Sequence, residues 1–273
     1  VDGAKVTSGL AIIAGSGMGE LGDRLASRLT DVETVSFTRI DGVGSCTVDG
    51  HAGEVRMGRF DGGGRRVALV LGRRHAYEGG TLGMARLMRW LFARGLSSVV
   101  AISAAGSLRS TLHPGELVVV KDIVDFQNRD RLQPSFRRVT ARTDRGRERA
   151  RENGRGRSLG VSSSLTEALE TAARRAGVVL HRGVLACGLG PAYETPAEVR
   201  ALQAAGADVA TMSAAPEVQF AGELGMKIAV VAAITNPCTG VGPEPPDHQS
   251  VLQVAQTMCG GLARLVTQLI DIK

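Results

Sequence analysis

The chain has 273 residues, 43% of them hydrophobic and 36 of them glycine, enough to bury a full core in one large α/β domain. No apolar run reaches the roughly 20 residues that span a bilayer, and no charged-then-apolar leader opens the chain, so a soluble protein with no membrane partner is expected. The formal charge of +6 would suit nucleic acid, but it arises from Arg137–Arg157, where nine arginines face three acids with no interleaved aromatics, so no nucleic-acid partner is expected.

In chain order, Leu10–Ala14 reads as a first strand and leads through Gly15-Ser16-Gly17-Met18-Gly19 into a helix. Short strands between Val35 and Val70 arrive without helices, which suggests antiparallel excursions or a small barrel. Val67–Leu71 is a strand, Leu82–Ala93 a helix, and Val99–Ile102 and Leu117–Val120 are strands. The pattern breaks from Gln127 to Gly160, an arginine-rich insertion at about 128–160 that reads as a solvated arm or a charge-steering flap over an anionic substrate. Beyond it come helix Leu165–Ala176, strand Val178–Leu185, helices Pro196–Ala204 and Pro216–Leu224, strand Ile228–Ile234 and helix Ser250–Ile270. This alternation predicts an α/β fold, a single domain over 1–273 with a central mixed, largely parallel sheet flanked by helices. Cys46, Cys187, Cys238 and Cys259 are scattered, with no CxxC pair and no ligand-spaced histidine. No disulfide framework and no metal site follow, and reduced thiols in a cytoplasm are expected.

The turns after these strands carry the chemistry. Glycines around Ser16 let backbone N–H groups converge on an anion. Gly72-Arg73-Arg74-His75-Ala76-Tyr77-Glu78-Gly79 follows a strand at its carboxyl end, where α/β sheets place ligands. In an extended stretch Arg73, His75 and Tyr77 share one face, a cation, an imidazole and a phenol suited to an oxyanion beside a hydroxylated group. Ser103-Ala104-Ala105-Gly106-Ser107 and Thr211-Met212-Ser213-Ala214-Ala215-Pro216-Glu217 end two more strands and offer hydroxyl and N–H donors. Gly190-Pro191-Ala192-Tyr193-Glu194-Thr195-Pro196-Ala197-Glu198 joins an aromatic face and a carboxylate to a helix start capped by Thr195. After Ile228–Ile234, the amide of Asn236 pairs one acceptor with one donor, a match for a ring N–H and an adjacent carbonyl.

The strings GSGMG, DGHAGEV, GRRHAYEGG, SAAGSL with PGELVVVKD, GPAYETPAEVRALQAAGAD, TMSAAPEV, ITN and HQSVL, in this order, resemble the trimeric purine nucleoside phosphorylases and their methylthioadenosine phosphorylase relatives. The resemblance implies a homotrimer that cleaves purine nucleosides with phosphate as co-substrate, giving free purine and ribose 1-phosphate without metal or organic cofactor. It implies phosphate on Ser16, His51, Arg73, His75, the backbone of Ala104 and Ser213. Ribose would meet Tyr77 and Met212, with His248 near its 5′-hydroxyl. The purine would lie on Tyr193, with Glu194 at its N1 edge and Asn236 at N7 and O6. His75, Glu194 and Asn236 would be the catalytic residues, and Cys187 and Cys238 structural.

The chain departs from that family at Ser103, where an Asn is usual, at Thr211, where a Gly is usual, and in the arginine-rich segment. It also opens only a few residues before the first strand, short of the family's N-terminal helix. Ser103 favours a second reading, a phosphorylase of 5′-modified nucleosides, which His248 opposes. A third reading is a noncatalytic nucleoside-binding paralogue.

Overall fold

The computed structural model describes residues 9–61, 64–127, 160–243 and 246–272. The run Arg137–Arg157, and the flap expected of it, lie outside them.

Strand β1 (Gly9–Ala14) is buried at all six positions because parallel neighbours β4 (Arg66–Leu71) and β5 (Leu96–Ser107) flank it and helices cover both faces. A strand in that setting has no polar face to show, so it reads as an unbroken apolar run. Strands β2 (Leu29–Ser36) and β3 (Glu54–Phe60) extend the sheet antiparallel beyond β4; β3 falls in the excursion expected between Val35 and Val70, whereas β2 starts before it. The order is β2-β3-β4-β1-β5-β8-β7-β6-β9, with β6 (Leu117–Asp125), β7 (Leu180–Cys187), β8 (Val209–Thr211) and β9 (Lys227–Pro237). Because β9 also pairs with β5, the last five strands close into a ring at one end of the sheet.

Helices α2 (Thr81–Ala93) and α5 (Ala215–Leu224) cover one face, while α1 (Gly19–Ala26), α3 (Ser163–Ala176) and α6 (His248–Asp271) cover the other. Helix α4 (Pro196–Ala204) starts where the sequence places it. Thr195 accepts from the Glu198 backbone N–H, and the Glu198 carboxylate accepts from the Thr195 N–H, a reciprocal cap. Among the described residues, no helix is long and apolar enough to cross a membrane.

Two stretches expected as strand-end loops belong to strands. β5 runs on through Ser103–Ser107 and β9 through Pro237, with Gly106 opposite Asn236 and Ser107 opposite Pro237. On the other side, Gly106 and Ser107 pair with Ala210 and Val209 of β8. Small residues with weak strand preference stay extended here because neighbours on both edges satisfy their backbone groups.

Candidate active site

All twelve residues put forward from the sequence line one cleft of about 380 Å³. Ser16 follows β1, Arg73 and His75 follow β4, Ala104 lies in β5, Met212 and Ser213 follow β8, Asn236 lies in β9 and His248 opens α6. His51, Tyr77, Tyr193 and Glu194 complete it from the connecting turns.

At one end, His51 Nδ1 lies 3.0 Å from the Arg73 carbonyl and 3.4 Å from the Arg73 N–H, and its Nε2 lies 3.1 Å from the Ser16 hydroxyl. That ring is neutral: burial, and then the Arg73 charge, push its pKa down to about 3. The His51, His75 and Tyr77 rings stack in series, with centroids 5.4 and 5.0 Å apart. His75 donates its Nδ1–H to Glu78. Burial pulls the His75 pKa below its ordinary value, and the Glu78 hydrogen bond opposes that pull.

Arg73 does not share a face with His75 and Tyr77. Residues Ala76–Glu78 tighten into a 3-10 turn that stacks the two rings, while Arg73 turns inward and is 1% exposed. Its Nη1 donates to Ser103 Oγ at 2.5 Å and Ser213 Oγ at 2.7 Å, and its Nη2 donates to the Ile102 carbonyl at 2.7 Å. The Glu217 carboxylate, itself 1% exposed, lies 3.6 Å from Nη1. The guanidinium thus forms a charged floor overlaid by two serine hydroxyls. Ser103, where the resembled family usually carries Asn, accepts from both Arg73 and the Ser213 hydroxyl.

At the other end, Gly190 (φ +74°) lets two walls close together. A Cβ there would sit 2.5 Å from Met212 Sδ and 2.9 Å from Tyr77 Cδ1. Burial raises the Glu194 carboxyl above the usual carboxylate range. Asn236 Oδ1 accepts from Thr235 Oγ1 at 2.8 Å and Nδ2 donates to the Pro237 carbonyl at 2.9 Å, which leaves one lone pair and one hydrogen for a ligand. His248 follows Asp247, whose carboxylate accepts from the Ser250 N–H and fixes the start of α6. Among the described residues, no group of three or more His, Cys, Asp or Glu is placed to hold a metal.

Three contributors escape a reading of the sequence. Glu78 orients His75, and its spacing three residues on was a usable signal. Glu217 is an acid in an otherwise apolar helical turn, a pattern that marks a buried ion partner. Cys238, expected to be structural, lines the cleft near Asn236, its thiol pushed up to about 12 by burial and then by Glu194. No sequence pattern marks that thiol.

The family model described as the phosphorylase superfamily matches residues 10–271. Purine nucleoside phosphorylase 1 of Bacillus subtilis is 28% identical over 96% of this chain and 91% of its own length. The 6-oxopurine nucleoside phosphorylase of Pyrococcus furiosus is 32% identical over 67% of each chain. The crystal structure of Schistosoma mansoni purine nucleoside phosphorylase in complex with adenosine superposes with a TM-score of 0.79 at 26% identity, covering 98% of this chain and 92% of that one. The chain belongs to the phosphorylase superfamily, with a nucleoside phosphorylase fold.

Proposed function

We propose that this protein cleaves 6-oxopurine nucleosides such as inosine and guanosine with inorganic phosphate, giving the free purine and ribose 1-phosphate. The observation that carries the reading is the pairing of two unlike ends in one cleft. A hydroxyl-lined anion floor over Arg73 faces Asn236 and Glu194, which present an acceptor, a donor and a carboxyl of raised pKa.

In this reading, phosphate rests on Ser16, Ser213, the Ala104 backbone and His75, close to C1′ of the sugar. The C1′–N9 bond breaks, its electron pair passes to the purine, and a phosphate oxygen bonds to C1′. Charge develops at both ends of this transition state, so fixed dipoles and charges aimed there act without reorganising. The proton that phosphate loses on bonding to C1′ is taken up, through solvent, at N7; Asn236 accepts from this N7–H and donates to O6, which stabilises the departing base. Glu194 faces N1. Tyr77 and Met212 hold the ribose, Tyr193 stacks on the purine, and His248 reaches the 5′-oxygen.

The reaction needs phosphate as co-substrate and no organic cofactor or metal. The reading includes a cytoplasmic homotrimer with each cleft near a subunit boundary. It is supported by exposed Phe126, Leu189 and Tyr193, 47%, 48% and 36% accessible, on segments at or beside the cleft. Phosphorus NMR tests the reaction: inosine added to protein and phosphate converts the phosphate resonance into that of a sugar 1-phosphate. An unchanged phosphate signal beside consumed inosine would mean hydrolysis, and no consumption would leave the noncatalytic reading.

A further inference from the structure

We infer that Gln127 is a positioning residue for nucleoside binding, bracing the sugar wall and the base loop against each other. This rests on the assignment of Met212 to the sugar and of Tyr193 and Glu194 to the base.

Gln127 stands just beyond β6 and is 3% exposed. Its Nε2 donates to two carbonyls at once, Gly188 O and Met212 O, each at 3.1 Å. Those carbonyls belong to different walls of the cleft. Gly188 opens the turn that carries Tyr193 and Glu194, and Met212 lines the cleft itself. Its own backbone N–H is tied down by Asp125 Oδ1 at 3.0 Å, so the brace is anchored to the end of β6.

The bracing extends over three successive carbonyls after β8. Thr211 O accepts from Gly188 N at 2.8 Å, Met212 O from Gln127, and Ser213 O from the Cys187 thiol at 3.1 Å. The Gly188 N–H and the Cys187 thiol each tie the two walls at one carbonyl, whereas the Gln127 amide holds a carbonyl of each wall at once. An amide NH2 is the group for such a task, because it holds two donors in one plane at a fixed angle. Among the described residues, the Oε1 atom of Gln127 is buried without a hydrogen-bond partner. Keeping a buried amide oxygen unsatisfied is unfavourable, so packing alone would favour an apolar side chain here.

The phosphate floor does not depend on this brace, since Arg73, Ser103 and Ser213 are joined to one another. The brace should therefore act on nucleoside and leave phosphate alone. Gln127→Met keeps the length and removes both donors. Gln127→Asn keeps the amide one carbon short, so that it reaches one carbonyl at most.

The expected result with inosine is a KM raised about tenfold in Gln127→Met and less in Gln127→Asn, with phosphate KM unchanged in both. Hydrogen exchange should quicken in peptides covering residues 188–195 and 211–214 and stay constant in β1 and β4. The second measurement needs no turnover, so it separates failure of the brace from failure of the phosphorylase reading. Unchanged exchange in those two segments, or equal losses in nucleoside and phosphate KM, would overturn the inference. If Gln127→Met does not fold, the same readouts on Gln127→Asn decide it.

Discussion

His75 donates its Nδ1–H to the Glu78 carboxylate across 2.9 Å, with the two side chains only 10% and 5% exposed. Glu78 is itself held by the Thr47 hydroxyl at 2.5 Å and the His75 backbone N–H at 2.7 Å. Burial would raise the Glu78 carboxyl, but these hydrogen bonds outweigh it and hold the group below its ordinary value, as an anion. With Nδ1 held by Glu78, Nε2 is the ring nitrogen that would meet the oxyanion in the proposed function.

Phosphate arriving beside this ring adds negative charge, so its binding should be coupled to proton uptake and its KM should rise as pH rises. Glu78→Gln removes the charge that supports the imidazolium and lowers the His75 pKa further. The rise in phosphate KM should then begin at lower pH, with KM at neutral pH up about tenfold and inosine KM little changed. Steady-state kinetics across pH checks both.

Arg73 and Glu217 are a buried pair, and removing one partner strands the other. Arg73→Met should cost about 3–5 kcal/mol in urea denaturation, whereas Arg73→Met combined with Glu217→Met should recover much of that stability. Phosphate KM should stay high in both, because the charged floor is gone. Recovery of phosphate use in the double variant would show that the charge is not what binds phosphate.

The neutral His51 ring makes stability depend on acid. Its folded pKa of about 3 lies below the ordinary 6.5, so the unfolded chain binds the extra proton between those values. This contribution is fully present above pH 6.5 and drains as pH falls towards 3, at up to about 1.4 kcal/mol per pH unit. His51→Gln should flatten the loss of stability between pH 6 and 4, read as urea midpoints.

Much of the framework is legible because local pattern and tertiary setting agree. Ile12 and Val70 sit in strands buried on both faces, so apolar runs announce them, and Thr195, Pro196 and Glu198 announce α4. Apart from His248 at the start of α6, the residues proposed for the site sit near a strand end or in a turn attached to one, which is why short strings suffice to gather them in one cleft. What stays hidden is long-range. The inward turn of Arg73 depends on Ser213, 140 residues away, and the Gln127 brace on Met212, 85 residues away. The continuation of β5 through Ala104 and Gly106 depends on pairing with β8 and β9, and residues so small carry no period of their own.

Asn236 keeps one lone pair and one hydrogen, so if it meets the base as proposed it should favour a ring N–H beside a carbonyl over one beside an amino group. Asn236→Asp replaces the donor by an acceptor, and kcat/KM should move from inosine towards adenosine. Unchanged relative kcat/KM for the two nucleosides would remove Asn236 from base selection.

His248 should act at the 5′ end of the sugar. His248→Ala should weaken inosine about tenfold and 5′-deoxyinosine hardly at all, since the second lacks the oxygen the imidazole would meet. Equal losses would place the residue elsewhere in the reaction, and a wild-type preference for 5′-methylthio nucleosides would replace the 5′-hydroxyl reading.

The most direct test of the account is hypoxanthine release from inosine by the purified protein, with and without inorganic phosphate. Release should depend on phosphate, saturate with it, and yield one ribose 1-phosphate per hypoxanthine. Release at the same rate without phosphate, or none with it, would contradict the account.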